Sequence, residues 1–207
     1  MNLSAIPRRL EVRRLGLDLD NTLIDYTTSC TFLAANFGID ASSATRDAIR
    51  RHLRHPDNDE EWQRFQSLLY TDGLDSALPA TGAVKLIRGC RNRGIEVFIV
   101  SHKTKTGPEQ FGTRDLRTPA LQWLTSHNLV PGLIPRNSVF FTDSVEAKIE
   151  SVASLRLDVF VDDLPEVLSH PAWPPSTLGI RVASTSAGDC SPHWCVDFPG
   201  LSEWLGL

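Results

Sequence analysis

Short apolar runs rich in β-branched residues recur along the chain, and stretches with helical spacing separate them. The runs are Val12–Leu19, Ile95–Val100, Val139–Phe141, Asp158–Val161 and Leu178–Val182. Uninterrupted apolar strands alternating with helices predict an α/β fold, a parallel sheet covered on both faces. Three helices have readable boundaries. Thr81–Arg93 places Val84, Ile87 and Cys90 on one side and ends at Gly94. Asp143 and Glu146 form a capping pair ahead of Val145, Ile149 and Val152. Pro119 sits where a first helical turn would start, before Ala120, Leu121 and Leu124.

One stretch breaks the alternation. From Asp25 to Leu78 the spacing is helical throughout, with helices expected near Thr27–Phe37, Ser43–Leu53 and Asp59–Leu69. Gly38, Pro56-Asp57-Asn58 and Asp72-Gly73 would join them. The expected organisation is an α/β core built from residues 1–24 and 79–207, carrying a small helical cap of residues 25–78 after the first strand. Lys103–Thr118 reads as a long irregular loop broken by Gly107-Pro108 and Gly112, and loops of that length are often functional. The tail is proline-rich from Pro171 to Pro175, with a short amphipathic end at Leu201–Leu205.

With 207 residues, 41% of them hydrophobic and 22% charged, the chain can bury one sizeable core. A net charge of -4 gives no reason to expect a nucleic acid polymer as partner. Clusters such as Arg8-Arg9 and Arg13-Arg14 read as solvated faces. No apolar stretch is long enough to cross a bilayer, so no membrane partner is expected. The N-terminus has arginines but no apolar segment of the secretory kind. Cys30, Cys90, Cys190 and Cys195 lack paired spacing, and reduced thiols in the cytoplasm are the simplest reading. Cys190, His193 and Cys195 could be imagined as metal ligands, but nothing nearby supplies a convincing fourth.

The segment Asp18-Leu19-Asp20-Asn21-Thr22 follows the apolar run Leu15-Gly16-Leu17. In open α/β sheets ligands bind beyond the carboxyl ends of the strands, so these acids are placed for chemistry. Two carboxylates in different surroundings can divide labour, one as nucleophile and one as general acid/base. An ordinary Asp/Asn turn explains the motif equally well on its own. Other strands end in polar groups too. The second runs into Ser101-His102-Lys103, and Asp158–Val161 runs into Asp162-Asp163. Lys148 borders the buried stripe of the helix that precedes the latter strand.

In these four segments the chain resembles the haloacid dehalogenase-like (HAD) hydrolase superfamily, over almost its full length. The first motif reads here as DLDNT, the second as IEVFIVS, the third as Lys148 and the fourth as VFVDD. The resemblance implies a Rossmann-like three-layer core with a C1-type cap inserted after the first motif. It also implies roles. Asp18 would attack phosphorus, and Asp20 would protonate the leaving oxygen and then activate water. Ser101 would hydrogen-bond a phosphoryl oxygen, and Lys148 would offset the negative charge. Asp18, Asp20 (through its carbonyl), Asp162 and Asp163 would hold Mg2+.

Family dehalogenases typically lack an acid two residues after the nucleophile, so Asp20 favours phosphoryl transfer to water. A phosphotransferase or mutase, or an idle phosphoester-binding module, remains an alternative on the same scaffold. Asn21 stands where Gly is commoner. The resemblance implies a small phosphorylated substrate, and something in the helical cap and the V-D-D-x-P segment looks like the 5'-deoxyribonucleotidases. Sugar phosphates and nucleoside monophosphates compete as substrate classes. Candidate specificity groups are Tyr26, Arg50, Arg54, His55 and Trp62 from the cap, with His102, Lys103 and Lys105 from the second loop.

Overall fold

The computed structural model describes residues 11–54, 59–105, 115–182 and 194–207. Its main sheet has six parallel strands: β1 (Arg14–Leu17), β4 (Glu96–His102), β5 (Val139–Thr142), β6 (Val159–Asp162), β7 (Leu178–Val182) and β8 (Trp194–Val196). Their spatial order is β5-β4-β1-β6-β7-β8. The first strand in the chain therefore lies centrally, between β4 and β6. In register, Leu17 faces Ile99 on one side and Val161 on the other. The strand order reverses at β1, which opens a crevice beyond its carboxyl end.

Alternation along the strands divides the core in two. Leu15, Leu17, Val97, Ile99, Val159 and Val161 pack on the face covered by α4 (Ala83–Asn92), α5 (Arg117–Ser126) and α8 (Phe198–Trp204). Val100 and Phe160 point the other way, against α6 (Val145–Ser154) and α7 (Pro165–Leu168). The three-layer α/β expectation is met. At Gly16 in β1, an added Cβ would overlap the Leu157 and Phe160 side chains, so glycine lets those residues close over the centre of the sheet.

The predicted strands are present with shifted ends. β1 is shorter than Val12–Leu19, because after Leu17 the chain turns. Leu23 and Ile24 both donate their N–H to the Leu19 carbonyl. β4 runs on through His102, two residues past its apolar stretch, since it stays paired with β5 to Thr142. The short β8 escaped a reading based on apolar runs, because it is only three residues long and follows a polar stretch.

Between β1 and β4 the chain is helical, as expected: α1 (Thr27–Ala34), α2 (Arg46–Leu53) and α3 (Glu60–Leu69). Two features at its ends correct the expectation of a strandless stretch. Ile24–Asp25 (β2) and Leu78–Pro79 (β3) pair antiparallel, so the chain enters and leaves the helical segment along one short ladder. Asp72-Gly73 belongs to a 3-10 helix, Asp72–Ser76, rather than a simple joint. Pro56-Asp57-Asn58 lies outside the described residues. So do Gly107-Pro108 and Gly112 of the second irregular segment.

Helix caps also moved. Ser144, not Asp143, caps α6, its hydroxyl accepting from the Ala147 N–H at 3.1 Å. Asp143 is instead drawn to Arg117, whose Nη2 donates to it at 2.6 Å. Pro119 is the third residue of α5, still within the first turn. Among the described residues no helix is long and apolar enough to cross a membrane.

Candidate active site

Asp18 lies one residue beyond β1, where its N–H still donates to the Val161 carbonyl at 2.8 Å. This bond ties the acid to the end of β6. Asn21 then takes a left-handed conformation with φ 59°, which asparagine tolerates better than most residues. The turn it makes separates the environments of Asp18 and Asp20.

Asp18 is buried and accepts from Lys148 Nζ at 2.7 Å through Oδ1. The same ammonium donates to Asp162 Oδ2 at 2.6 Å. Asp162, at the last position of β6, is fully buried, and its Oδ1 accepts the Leu164 N–H at 2.9 Å. Lys148 reaches this point from the fourth residue of α6, with its ammonium 5.4 Å from the Phe160 ring centroid. Asp18, Asp162 and Asp163 offer carboxylate oxygens that all lie within 4.8 Å of one another. An all-oxygen set of this kind suits a hard divalent cation, and the donors present fit Mg2+.

Asp20 has different partners. Tyr26 donates its hydroxyl to Oδ1 at 2.6 Å, and Lys103 Nζ lies 2.9 Å from Oδ2. Lys103 is itself buried, its ammonium 4.7 Å from the Tyr70 ring centroid. Its carbonyl accepts from Arg117 Nε at 2.8 Å, which anchors the start of the second loop.

The electrostatics follow from burial. Desolvation pushes the Asp18 carboxyl up to about 7, aided by Asp162 and Asp20 and opposed by Lys148. Asp163 is likewise held well above the usual carboxylate range, by burial first and then by Asp18 and Asp162. For Lys148 burial alone would lower the ammonium's pKa, but the two carboxylates outweigh it and the net shift is upward. The Tyr26 phenol is raised by burial and by Asp20, so it stays a donor.

The structure thus brings together Asp18, Lys148, Asp162 and Asp163, with Asp20 and Lys103 alongside. Ser101, the penultimate residue of β4, is buried like Lys103 two residues on, whereas His102 between them is exposed. Lys105, Arg50 and Arg54 are exposed, and Arg54 pairs with Asp59 at 3.3 Å. Trp62 is buried and stacks on Phe65. His55, Cys190 and His193 lie outside the described residues, as does the Cys195 side chain.

Two residues close to these groups are not singled out as candidates by the sequence. Arg46, the first residue of α2, lies with its guanidinium 5.8 Å from the Trp62 ring centroid, and the fields of Tyr70 and Asp163 help to raise its pKa against burial. Tyr70 packs edge-on against Tyr26, ring centroids 5.7 Å apart. The apolar spacing of α2 marks Ile49 and Leu53 as buried, and Arg46 precedes Ile49 by three. It could have been picked out as the arginine on the inward side of that helix.

No family model matches the sequence, and no curated protein is significantly similar to it. Solved structures are. A HAD-superfamily hydrolase from Ehrlichia chaffeensis superposes with a TM-score of 0.57 at 15% identity, covering 94% of this chain and 96% of that one. The fold is that of the HAD-superfamily hydrolases. A hydrolase from Streptococcus pneumoniae TIGR4 gives a TM-score of 0.57 at 16% identity, covering 96% of this chain and 100% of that chain. A predicted phosphatase from Clostridium acetobutylicum gives 0.59 at 13% identity over 94% of this chain and 97% of that chain. The HAD-like fold thus spans almost the whole chain, including the helices between β2 and β3.

Proposed function

We propose that this chain is a cytoplasmic Mg2+-dependent phosphatase of small phosphorylated metabolites, working through an aspartyl-phosphate. The observation that carries the reading is the division of the two acids. Asp18 sits with Lys148, Asp162 and Asp163. Asp20, two residues on, is held apart by Tyr26 and Lys103. A nucleophile and a general acid/base need this separation of surroundings.

In the mechanism, an Asp18 oxygen attacks phosphorus while Asp20 passes its proton to the leaving oxygen. Asp20 becomes an anion at that moment, and Lys103 and the Tyr26 hydroxyl are already in place to stabilise it. Asp20 then takes a proton from the water that hydrolyses the aspartyl-phosphate. Lys148 holds Asp18 in position and balances the charge gathered there, and Ser101 hydrogen-bonds a phosphoryl oxygen. Mg2+ would be held by Asp18 and Asp163, with Asp162 and the Asp20 carbonyl beside it; bound there, it offsets the repulsion between carboxylates and a phosphate dianion.

Residues 25–78 act as the cap that excludes water and selects the substrate. Tyr26 at its start touches Asp20, and Arg46 and Trp62 lie against each other within the same segment. Two free thiols, Cys30 and Cys90, accord with a cytoplasmic protein. The test is turnover of p-nitrophenyl phosphate and a metabolite panel, with Mg2+ or with EDTA. Hydrolysis should need Mg2+, and Asp18→Asn should lower kcat by about a thousandfold or more. Turnover that persists through both treatments would defeat the reading.

A further inference from the structure

We propose that Arg46, Tyr70 and Trp62 form a subsite for a second anionic group, carried on the alcohol part of the phosphate ester. This rests on the phosphatase reading for its orientation, since Asp20 marks the side on which the alcohol leaves. The Tyr26 hydroxyl bonds Asp20, the Tyr26 ring packs on Tyr70, and the fields of Tyr70 and Asp163 act on Arg46. The guanidinium is therefore two aromatic rings removed from the general acid, on the leaving-group side.

Of the three cations Lys148, Lys103 and Arg46, Arg46 is the one without an ion pair among the described residues. Lys148 is shared between Asp18 and Asp162, and Lys103 is paired with Asp20. Among the described residues no carboxylate forms an ion pair with Arg46. Its Nε is buried and has no hydrogen-bond partner. An unmet buried N–H is costly, and a ligand acceptor would relieve it. The planar guanidinium donates two parallel hydrogen bonds best to a carboxylate or a phosphate. The Trp62 ring centroid lies 5.8 Å from it, and Trp62 in turn stacks on Phe65, with centroids 5.8 Å apart and planes at 16°. The field of Arg46 also reaches Asp163, which it lowers against the effect of burial.

The substrate class that follows is a short phosphate monoester ending in a carboxylate or a second phosphate. Acidic sugar phosphates and bisphosphates satisfy it; simple nucleoside monophosphates do not. The test uses ligands that cannot be hydrolysed, so that binding is read without turnover. Calorimetric titration of the full-length protein with Mg2+ would compare 3-phosphonopropanoate, ethane-1,2-diphosphonate and 3-hydroxypropylphosphonate. At least one of the two ligands with a second anionic end should bind about tenfold more tightly than the hydroxyl control. The stronger of the two identifies the group as carboxylate or phosphate. Arg46→Gln should bring that ratio to within about twofold.

Should Arg46→Gln fail to melt cooperatively, Arg46→Lys carries the test and should cut the ratio at least threefold. Equal binding of all three ligands to the native chain, or a ratio that survives both substitutions, overturns the proposal. The two readings fail separately. A chain with the ligand preference but no phosphatase activity would leave the subsite standing, and an active phosphatase with equal affinities would remove it.

Discussion

Lys148 stands between two buried carboxylates, and each of the three needs the others. Replacing it by methionine leaves Asp18 and Asp162 without their cation in a dry site. Removing one partner of such a buried set costs about 3–5 kcal/mol. Urea denaturation of Lys148→Met at pH 8 should show a loss of that size. At pH 5 the loss should be smaller, because the acids can take up protons instead. Asp18 itself sets a pH trend. With its carboxyl raised to about 7, the folded protein binds that proton more tightly than the unfolded chain does. Its contribution is therefore complete below about pH 4 and disappears as pH rises through about 7, by at most on the order of 4 kcal/mol. Differential melts in EDTA between pH 5 and pH 8 check the sign, and a metal-free protein that became more stable over this interval would contradict it. Buried thiols give a further check, since burial pushes Cys30 up to about 11 and Cys90 up to about 12. Both should alkylate slowly at pH 8 in the folded protein and readily in urea, as read by peptide mass spectrometry.

At the scale of elements, β1 carries the heaviest demand. Gly16 lets Phe160 and Leu157 close over the sheet, and Phe160 lies under the Lys148 ammonium. Gly16→Ala should destabilise by about 1–3 kcal/mol and also lower kcat, because the displaced ring moves the lysine. Loss of stability with kcat unchanged would show that Lys148 is insulated from that ring. The central strands were legible in the sequence because buried parallel strands are continuous apolar runs, and their polar ends stood out against them. Asp18 and Asp162 stand out that way, and Lys148 by its place beside the buried stripe of a helix. β2 and β3 were not, since two-residue strands have no periodicity to read, and β8 was too short. The α6 cap shifted by one residue because Asp143 had a better partner in Arg117, a contact between residues 26 apart. Arg46 was lost among other arginines, for a similar reason. It stands in a basic run, Arg46 to Arg54, whose sequence alone does not single it out, and only the fold sets it beside Trp62.

For the whole molecule, the carboxylate cluster of Asp18, Asp162 and Asp163 joins the ends of β1 and β6, two neighbouring strands far apart in sequence. Mg2+ should therefore stabilise the fold globally, not only complete a catalytic site. A melting temperature raised by several degrees at pH 8, reversed by EDTA and halved or less at pH 5, is the expected outcome by scanning calorimetry. An equal shift at both pH values would mean that the ion does not sit among the titrating acids. The helical segment shares the same apolar cluster as the sheet, with Phe65 and Leu69 joined to Leu15 and Leu17 through a continuous chain of buried residues. Trp123 of α5 also donates its indole N–H to the Ala77 carbonyl at 3.0 Å.

The ladder of β2 with β3 gives the architecture one more property. Because outgoing and returning strands lie side by side, with Ala80 N–H bonded to the Leu23 carbonyl at 2.9 Å, both ends of the helical segment leave the core at one place. The shared packing of Phe65, Leu69 and Ala77 still limits what that place can carry. Such a junction is a natural splice point, and a chimera made there would exchange the helices while keeping the strands that frame them.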